Sequence, residues 1–497
     1  MKKLSIQSAA AWVVLVVLLP WSASARVAPG SRTLPQGAGT VTQDSGPACA
    51  CNFSSVAGVG DLDRDGRADY AVADEKSSTV AIFHGPRPAE GASIPLGSAD
   101  ATFSVPTTAR LEIRVAAGGD VNGDGWRDVL IGTPGDNAGG ASAGAVYVLY
   151  GPIFGHLSPS SLNVAKIVGV AGSSAGSAIA SGGDINGDGK SDILIGAPGL
   201  GGTGGVHVVR GPVIGVRTLP GVAVLTMTGP SLGSEAGLSV AGGVNLVAGA
   251  EPDIVVGVPF ADPGQRRDAG EVFVIAGANT GTFPLEGGGF QFDGVSPQEF
   301  AGYDVAIGEL TGDAHADVVI GAPGPFHQGA NGKVYVVPGG PSMEPGPLPA
   351  GGRTLAGETG ASSGARLAVG DVSGDGKDDL AVDGASYNHG AGVVDVLYGP
   401  VASSQTATPL SSANARLVGP GSEFLGTVAA VGDIDRSCGG DLVIGGTTKT
   451  YVVHQTECGA VSSLLHPIID STCLLNATVC TQLHSANRNM LWGRLGL

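Results

Sequence analysis

A short acidic segment that recurs at a nearly constant interval limits the possible folds of this 497-residue chain more than any other feature. Its copies are separated by 59, 64, 125, 62 and 62 residues and begin at Asp61, Asp120, Asp184, Glu309, Asp371 and Asp433. The interval of 125 equals two periods, and a degenerate copy lies near its middle, where residues 241–244 precede the apolar segment 253–259. Because such self-similarity is typical of repeat architectures, we predict seven copies of one unit between residues 53 and 459.

Each copy contains four short segments of apolar or small residues. Residues 177–181 precede an acidic segment and residues 193–195 follow one, while residues 145–150 and 165–168 exemplify the third and fourth segments. Gly and Pro, with 85 and 31 residues, punctuate these segments, and both destabilise helix interiors, by about 1 and 3 kcal/mol relative to Ala. Four short strands per period are typical of a propeller blade. The sequence therefore predicts an all-β fold, a seven-bladed β-propeller of four-stranded blades.

The acidic segments have the donor spacing of a calcium loop. In the first copy, Asp occupies positions 1, 3, 5 and 9, and the backbone carbonyl of position 7 adds a further oxygen. Ca²⁺ takes six to eight such oxygens, and the Gly at position 6 permits the positive φ that wraps the chain around an ion. We expect four to five Ca²⁺ sites with these ligands: Asp61, Asp63, Asp65, Arg67, Asp69; Asp120, Asn122, Asp124, Trp126, Asp128; Asp184, Asn186, Asp188, Lys190, Asp192; Asp371, Ser373, Asp375, Lys377, Asp379; and Asp433, Asp435, Ser437, Asp441.

Three copies depart from this pattern. The seventh has Cys438 in place of the Gly, and the fifth has Ala314 there, with Glu309, Thr311, Asp313 and Asp317 as its polar set. The fourth has no ligand set, and we expect it to bind no ion. EF-hand and dockerin loops are excluded because their acidic residue at position 12 is replaced by Val or Ile of the following strand. A lone acidic turn is more often a solvated loop, but four matching copies at one period favour calcium over that reading.

The repeat resembles the FG-GAP repeat, the blade unit of the integrin α-subunit propeller. Phe300-Ala301-Gly302 and Phe424-Leu425-Gly426 resemble its Phe-Gly end, and the turns at 196–198 and 321–323 match its Gly-Ala-Pro. The resemblance implies calcium loops on one face and ligand binding through the other, on the loops after the Gly-Ala-Pro turns. The candidate ligand loops are the Gly-rich insertions at 135–143, 199–205 and 324–332.

Charge excludes several classes of partner. The formal net charge is −18, from 44 acidic and 26 basic residues, and such a chain repels phosphate backbones and anionic lipid headgroups. We therefore expect no nucleic-acid partner. Sixteen of the 44 acidic residues are candidate calcium ligands, so calcium would neutralise part of this charge. Crowded carboxylates repel one another without a cation, and we expect the calcium to be structural.

Both ends of the chain differ from the repeats. Residues 1–25 have two Lys, an apolar run at 9–19 and small residues at 23–25, which is typical of a secretory signal peptide. We expect a secreted bacterial protein, extracellular or at the cell surface, with the periplasm as a further option and no membrane span. Residues 26–52 form an N-terminal segment in which 40–43 are a candidate ring-closing strand, and residues 460–497 form a Cys-containing tail.

Six cysteines are candidates for disulfides in an exported protein. Cys49 or Cys51 could pair with Cys473 or Cys480 and lock the ring, or Cys473 and Cys480 could form a local bridge. The remaining two are Cys438 and Cys458. Sequence does not choose among the possible pairings.

Enzyme motifs find no supporting context. Residues 199–204 fit a dinucleotide-binding pattern, and 172–176 and 360–364 fit a nucleophile elbow, but none of them opens a helix. We interpret His84, His207 and His454 as packing or surface residues. The sequence thus favours a non-enzymatic interaction or adhesion scaffold for an unidentified extracellular protein or glycan. The alternative is a polysaccharide hydrolase or lyase, whose acid/base pair is not evident because Glu112, Glu235 and Glu299 are interpreted as solvated.

Overall fold

The computed structural model describes residues 30–33, 38–42, 55–86, 93–106, 112–247, 249, 251–277, 279–326, 329–401, 407–420, 425–437, 439–446 and 449–454. The expected signal peptide, all six cysteines, Phe424, Gln43 and the C-terminal tail lie outside these residues. Within the described part of the chain, no helix is both long enough and apolar enough to cross a membrane.

The described residues form an all-β structure. Among these residues, helical turns are limited to α1 (Tyr387–Gly390) and four 3-10 turns at Leu96–Ser98, Leu200–Gly202, Pro263–Gln265 and Leu410–Ser412. The strands are β1 (Gly30–Thr33), β2 (Ala38–Thr42), β3 (Val56–Gly60), β4 (Asp69–Asp74), β5 (Thr79–Phe83), β6 (Ser93–Pro95), β7 (Ala101–Ser104), β8 (Arg114–Gly119), β9 (Asp128–Thr133), β10 (Ala145–Leu149), β11 (Gly155–Leu157), β12 (Val164–Val168), β13 (Ala178–Gly183), β14 (Asp192–Gly196), β15 (Gly205–Val209), β16 (Val216–Thr218), β17 (Leu225–Thr228), β18 (Ser239–Val244), β19 (Asp253–Val258), β20 (Glu271–Ile275), β21 (Gly281–Pro284), β22 (Phe290–Asp293), β23 (Val305–Gly308), β24 (Asp317–Ala322), β25 (Lys333–Val337), β26 (Gly346–Pro347), β27 (Arg353–Ala356), β28 (Leu367–Gly370), β29 (Asp379–Asp383), β30 (Val393–Leu397), β31 (Thr408–Pro409), β32 (Ala415–Val418), β33 (Leu425–Gly432), β34 (Asp441–Gly446) and β35 (Lys449–Val453).

These strands form seven sheets, which confirms the predicted seven-bladed β-propeller. Blade 2 illustrates the pattern: β8, β9, β10 and β12 are antiparallel neighbours, as expected for a four-stranded blade. A fifth short strand, β16, adds in parallel to β12, although it belongs to the next repeat. The same addition occurs in every blade, so each sheet has five strands. Sequence reasoning missed this strand because it is only two to four residues long.

The innermost strands close the ring. Contacts join β3, β8, β13, β18, β23, β28 and β33 in succession, and β33 contacts β3 again. Blade 7 takes three strands from residues 425–453 and its fourth from β2, which pairs antiparallel with β35. In blade 6, β1 pairs in parallel with β32 and takes the place of the fifth strand. The N-terminal segment therefore bridges the last two blades.

The core lies between successive sheets. The second and third strands are buried along their whole length in blade 2, where no residue of β9 or β10 is exposed, consistent with continuous apolar runs. Large aromatic side chains recur at one position of the third strand, at Tyr147, Phe273, Tyr335 and Tyr451, and none is more than 2% exposed. Each contributes about 2–3 kcal/mol through burial, so the blades are held together mainly by apolar packing.

The direction of the strands places the acidic loops and the Gly-Ala-Pro turns at opposite ends of the blades. The first strand of each copy runs into the acidic loop, and the second strand returns from it to the Gly-Ala-Pro turn. In blade 3, for example, β13 ends at Gly183 before the loop, and β14 ends at Gly196 at the start of the turn. The acidic loops therefore lie at one end of the strands and the Gly-Ala-Pro turns at the other.

Candidate metal-binding loops

The first acidic loop shows how these segments fold. Asp61, at position 1, accepts hydrogen bonds from the backbone N–H groups of Asp65 at 3.1 Å and Gly66 at 2.9 Å. Asp63 accepts from the Asp65 N–H at 3.0 Å, and Asp65 accepts from the Arg67 N–H at 2.8 Å. These local bonds curl the loop and bring its carboxylates to the inside of the turn. Ligand oxygens of Asp61, Asp63 and Asp65 lie within 4.8 Å of one another.

The same curl is repeated in the second, third and sixth loops. At position 1, Asp120, Asp184 and Asp371 each accept N–H bonds from positions 5 and 6, at 2.7 to 3.1 Å. At position 5, Asp124, Asp188 and Asp375 each accept the N–H of position 7, at 2.8 to 3.1 Å. In the second loop, the Asn122 amide also donates to Asp124 at 2.8 Å.

Positive φ angles fall where the spacing requires them. At position 6, Gly66, Gly125, Gly189 and Gly376 have φ between 81° and 83°. Ala314 occupies this position in the fifth loop with φ of 68°, a conformation that costs a non-Gly residue about 1–2 kcal/mol. Position 4 is also left-handed, and sequence reasoning missed it because Arg64 and Arg436 stand there in two loops with φ of 64° and 66°.

The Asp at position 9 has a second role that spacing did not predict. Asp128 is 0% exposed and accepts hydrogen bonds from Val121 N–H at 2.7 Å and Gly151 N–H at 2.9 Å. It therefore ties the start of the loop to the end of the third strand. This pair of bonds, here called the bracket, occurs in blades 1 to 6, at Asp69, Asp128, Asp192, Asp253, Asp317 and Asp379, and in blade 7 Asp441 accepts the loop-side bond from the Ile434 N–H at 2.8 Å.

Burial perturbs these bracket carboxylates. Desolvation raises the pKa of Asp128 to about 7, although two backbone hydrogen bonds oppose it, and raises the pKa values of Asp69, Asp192 and Asp379 to about 6. A carboxylate pKa rises when burial disfavours the charged form. A nearby dication would favour that charged form, so the bracket positions are suited to a cation in the adjacent loop.

Neighbouring loops contact one another through long side chains. The Arg64 guanidinium lies 3.7 Å from the ring centre of Trp126 and donates to the Gly125 carbonyl at 2.5 Å. Arg436, at the equivalent position of the seventh loop, donates to the Asp65 carbonyl. Loops 7, 1 and 2 are thus connected in series on the acidic end of the ring.

Two histidines that the sequence interpretation gave as packing or surface residues are buried and lie beside the acidic loops. His84 Nδ1 lies 3.6 Å from Asp63 Oδ2, and the His84 ring packs edge-on against Phe154. His454 Nδ1 lies 3.4 Å from Asp435 Oδ2 and 3.6 Å from Asp441 Oδ2. Both occupy the first position after the third strand, and that shared position is the signal that could have revealed them. His207 is buried in β15 and hydrogen-bonds to Thr226, which confirms its packing role.

Only two groups of three or more Asp, Glu, His or Cys side chains converge within 4.8 Å among the described residues. One is Asp61, Asp63 and Asp65, and the other is Asp435, Asp441 and His454. The oxygen-only group fits a hard cation such as Ca²⁺. The second, third and sixth loops have Asn or Ser at position 3, so each of them contains one carboxylate fewer than the first loop. Asp433 and Ser437 remain beside the second group, joined by a Ser437 N–H bond to Asp433 at 3.1 Å.

A cavity of about 390 Å³ lies at the opposite end of the strands. Its lining comes from blades 2, 3 and 4 and includes the Gly-Ala-Pro-type turns and part of the predicted ligand loops, with Glu112 and Glu235 as its two charged residues. Glu299 belongs to no such surface, and its interpretation as solvated is wrong. It is 4% exposed, accepts a hydrogen bond from Tyr335 and lies 3.6 Å from the Lys333 ammonium group.

Comparison with known proteins agrees with this architecture. The model of the FG-GAP repeat family matches residues 114–149, 175–209 and 301–337, in blades 2, 3 and 5. The chain is 36% identical over 142 residues to integrin alpha-6 of Gallus gallus, 33% over 144 residues to integrin alpha-7 of Rattus norvegicus and 36% over 149 residues to integrin alpha-IIb of Homo sapiens. Each match covers 28% of this chain but only 12% to 14% of the relative.

Proposed function

Because this chain carries FG-GAP repeats and is homologous to integrin α subunits within its propeller, we propose that it is a calcium-stabilised interaction or adhesion scaffold outside the cytoplasm. In this proposal the protein is secreted or displayed at the cell surface, or resides in the periplasm. It is not an enzyme, and its propeller binds an extracellular protein or glycan. The observation that carries the proposal is the separation of the acidic loops from the cavity at the opposite end of the strands.

The calcium part of the proposal is supported by the convergence of Asp61, Asp63 and Asp65. The equivalent residues of the second, third and sixth loops, with the bracket Asp and the carbonyl of position 7, would hold three further ions. A bound dication would relieve the repulsion among these carboxylates and hold the first two strands of each blade in register. The fourth loop has only Asp253 of this set, and the fifth has a strained Ala314, so neither is assigned an ion.

Thermal unfolding tests the calcium assignment. Extracellular calcium modules bind at about 10⁻⁴–10⁻³ M, and a tenfold excess of ion over Kd stabilises one site by about 1.4 kcal/mol. We expect calcium to raise the midpoint and EDTA to lower it. A substitution of Asp61 and Asp63 by Asn should reduce the calcium-dependent shift. An unchanged midpoint in calcium and EDTA would contradict the assignment.

The ligand part of the proposal is supported by the cavity between blades 2, 3 and 4. Its volume of about 390 Å³ is in the range of ligand pockets, about 300–1,000 Å³. Ser142, Ser174 and Ser177 line it beside Glu112 and Glu235. Hydroxyl donors and carboxylate acceptors in a concave site suit a hydroxyl-rich ligand such as a glycan, or a polar protein loop.

Binding and turnover can be measured on the same protein. Screening on glycan and matrix-protein arrays should reveal a ligand whose binding is weakened by replacing Glu112 and Glu235 with Gln. The alternative function, a polysaccharide hydrolase or lyase, is favoured by one observation, namely that two carboxylates share this cavity. A reducing-sugar or unsaturated-product assay separates the two, because turnover would overturn the non-enzymatic assignment.

A further inference from the structure

We propose that the seventh blade carries a transition-metal site of mixed nitrogen and oxygen donors, formed by Asp435, Asp441 and His454. This site is chemically distinct from the oxygen-only loops and would take Zn²⁺ or a similar ion in preference to Ca²⁺. It uses the same structural position as a calcium loop, but its donor set belongs to a different class of metal.

The geometry brings the three donors together around one point. His454 Nδ1 lies 3.4 Å from Asp435 Oδ2 and 3.6 Å from Asp441 Oδ2, and all three ligand atoms lie within 4.8 Å of one another. The His454 side chain is 3% exposed and Asp441 is 0% exposed. The ring nitrogen is therefore aimed at two carboxylate oxygens inside the protein, where it cannot swing freely into solvent.

These separations match a small tetrahedral ion. Zn²⁺ binds His nitrogen and carboxylate oxygen at about 2.0–2.2 Å, and ligand atoms at such bond lengths are about 3.4 Å apart around a tetrahedron. Ca²⁺ binds at about 2.3–2.6 Å and collects six to eight oxygens. An imidazole nitrogen is a better ligand for Zn²⁺ and its neighbours in the first transition series than for Ca²⁺.

The rest of the seventh loop also differs in sequence from the calcium pattern of the first loop. Ser437 replaces the carboxylate at position 5, and Cys438 replaces the Gly at position 6. Asp435 Oδ1 is used by the Ser437 N–H at 2.9 Å, which leaves Oδ2 directed towards His454. The Asp435 side chain is 30% exposed, so the site has an open side through which water can complete the coordination.

Blade 1 provides an internal comparison. His84 occupies the position equivalent to His454, and the other blades have Tyr150, Arg210, Ala276, Pro338 and Tyr398 there. His84 Nδ1 lies 3.6 Å from Asp63 Oδ2, but the converging group in that loop consists of three carboxylates without the imidazole. The histidine alone therefore does not create the mixed site. The mixed site arises in blade 7 because the His454 ring nitrogen points towards two carboxylates.

The experiment uses untagged full-length protein that has been stripped with EDTA and returned to excess CaCl₂, so that oxygen-only loops are occupied. CoCl₂ is titrated in, because tetrahedral Co²⁺ absorbs visible light far more strongly than octahedral Co²⁺. We expect one equivalent of tetrahedral Co²⁺ per chain and its displacement by ZnCl₂. His454→Ala should weaken Co²⁺ binding by at least about 100-fold, and His84→Ala should leave it unchanged.

His454→Gln serves as a second variant that keeps the size and polarity of the side chain. It should keep the wild-type calcium-dependent melting midpoint while losing the tetrahedral spectrum. An absent tetrahedral spectrum in the wild type, or an identical spectrum in His454→Ala, would overturn the proposal. Intense near-ultraviolet thiolate bands would also overturn it, by placing Cys438 in the donor set. Calcium binding elsewhere is judged from the melting curves, so failure of one assignment leaves the other testable.

Discussion

Replacement of Asp253 by Asn isolates the bracket role of position 9 from any role in metal binding. Asp253 lies in the fourth blade, whose loop has no ligand set. Its carboxylate is 2% exposed and accepts the Leu246 N–H at 2.8 Å and the Val247 N–H at 2.9 Å, and the Gly277 N–H also bonds to it. Asn keeps the shape but replaces one acceptor oxygen by an NH₂ donor. At least one buried N–H therefore loses its partner.

The expected loss of unfolding free energy follows from the number of hydrogen bonds that Asp253→Asn breaks or weakens. An unsatisfied buried N–H costs about 1–3 kcal/mol, and the remaining bonds lose the charge that roughly doubles their strength. Burial raises the pKa of Asp253, which means that the native carboxylate is itself penalised and that the amide recovers part of the loss. We therefore expect Asp253→Asn to lower the free energy of unfolding by about 2–3 kcal/mol.

Urea denaturation followed by circular dichroism measures this loss, once in calcium and once in EDTA. The loss for Asp253→Asn should be equal in both buffers. The matched variant is Asp128→Asn, whose bracket bonds to Val121 and Gly151 are equivalent but whose loop has a full ligand set. It should lose a similar amount in EDTA and about 1.4 kcal/mol more at a tenfold excess of calcium. If Asp253→Asn has the same free energy of unfolding in EDTA as the wild type, the bracket role is refuted.

Three further predictions concern burial, ion pairing and closure. Burial raises the pKa of Glu271 from 4.5 to about 7. Between these pH values the folded state holds a proton that the unfolded state has released. The stability contributed by this group is therefore fully present below pH 4.5 and is lost as the pH rises to 7. In the wild type this loss lowers the free energy of unfolding by about 3 kcal/mol between pH 4.5 and 7. Glu271→Gln should abolish this decrease, as measured by urea denaturation from pH 4.5 to 8. A variant with the same pH dependence of stability as the wild type would contradict the prediction. Lys166→Met should destabilise the protein by about 3 kcal/mol, because it leaves Asp136, bonded to Lys166 at 2.7 Å, buried without its cation; the double variant with Asp136→Asn should recover most of this in thermal melts. Deletion of residues 26–42 should expose the β35 and β32 edges, which now pair with β2 and β1. Exposed edges pair with other chains, so light scattering should show a larger mass than for the wild type. An unchanged mass and melting midpoint would show that the ring closes without this segment.

The blade count and the loop positions were predictable because both are periodic. Seven acidic or degenerate segments separated by strand-forming residues leave few alternatives to a propeller, and the structure confirms seven sheets. The left-handed position 6 was also predictable, because Gly stands there in four loops. Position 4 also has Gly in four loops, but sequence reasoning missed it because Arg64 and Arg436 stand there in two others and adopt a conformation that their side chains disfavour.

Contacts between distant repeats were beyond the reach of sequence reasoning. The fifth strand of each sheet comes from the next repeat, or from the N-terminal segment in blade 6, and contains too few residues to show a hydrophobic period. The bracket Asp looked like another ligand because the carboxylate spacing is the same for both roles. Its burial and its bonds to the third strand depend on a neighbour about 20 residues away, as in Asp128 and Gly151.

The sequence by itself determined that this chain is a propeller, how many blades it has and where its acidic loops lie, because these properties follow from local spacing repeated along the chain. Only the tertiary structure decided what each carboxylate faces. It turned Asp441 and Asp435 towards His454, buried Glu299 beside Tyr335, and brought Glu112 and Glu235 into one cavity. The physical reason is that metal selectivity, pKa and ligand shape depend on distances between residues far apart in sequence, which closure of the ring fixes.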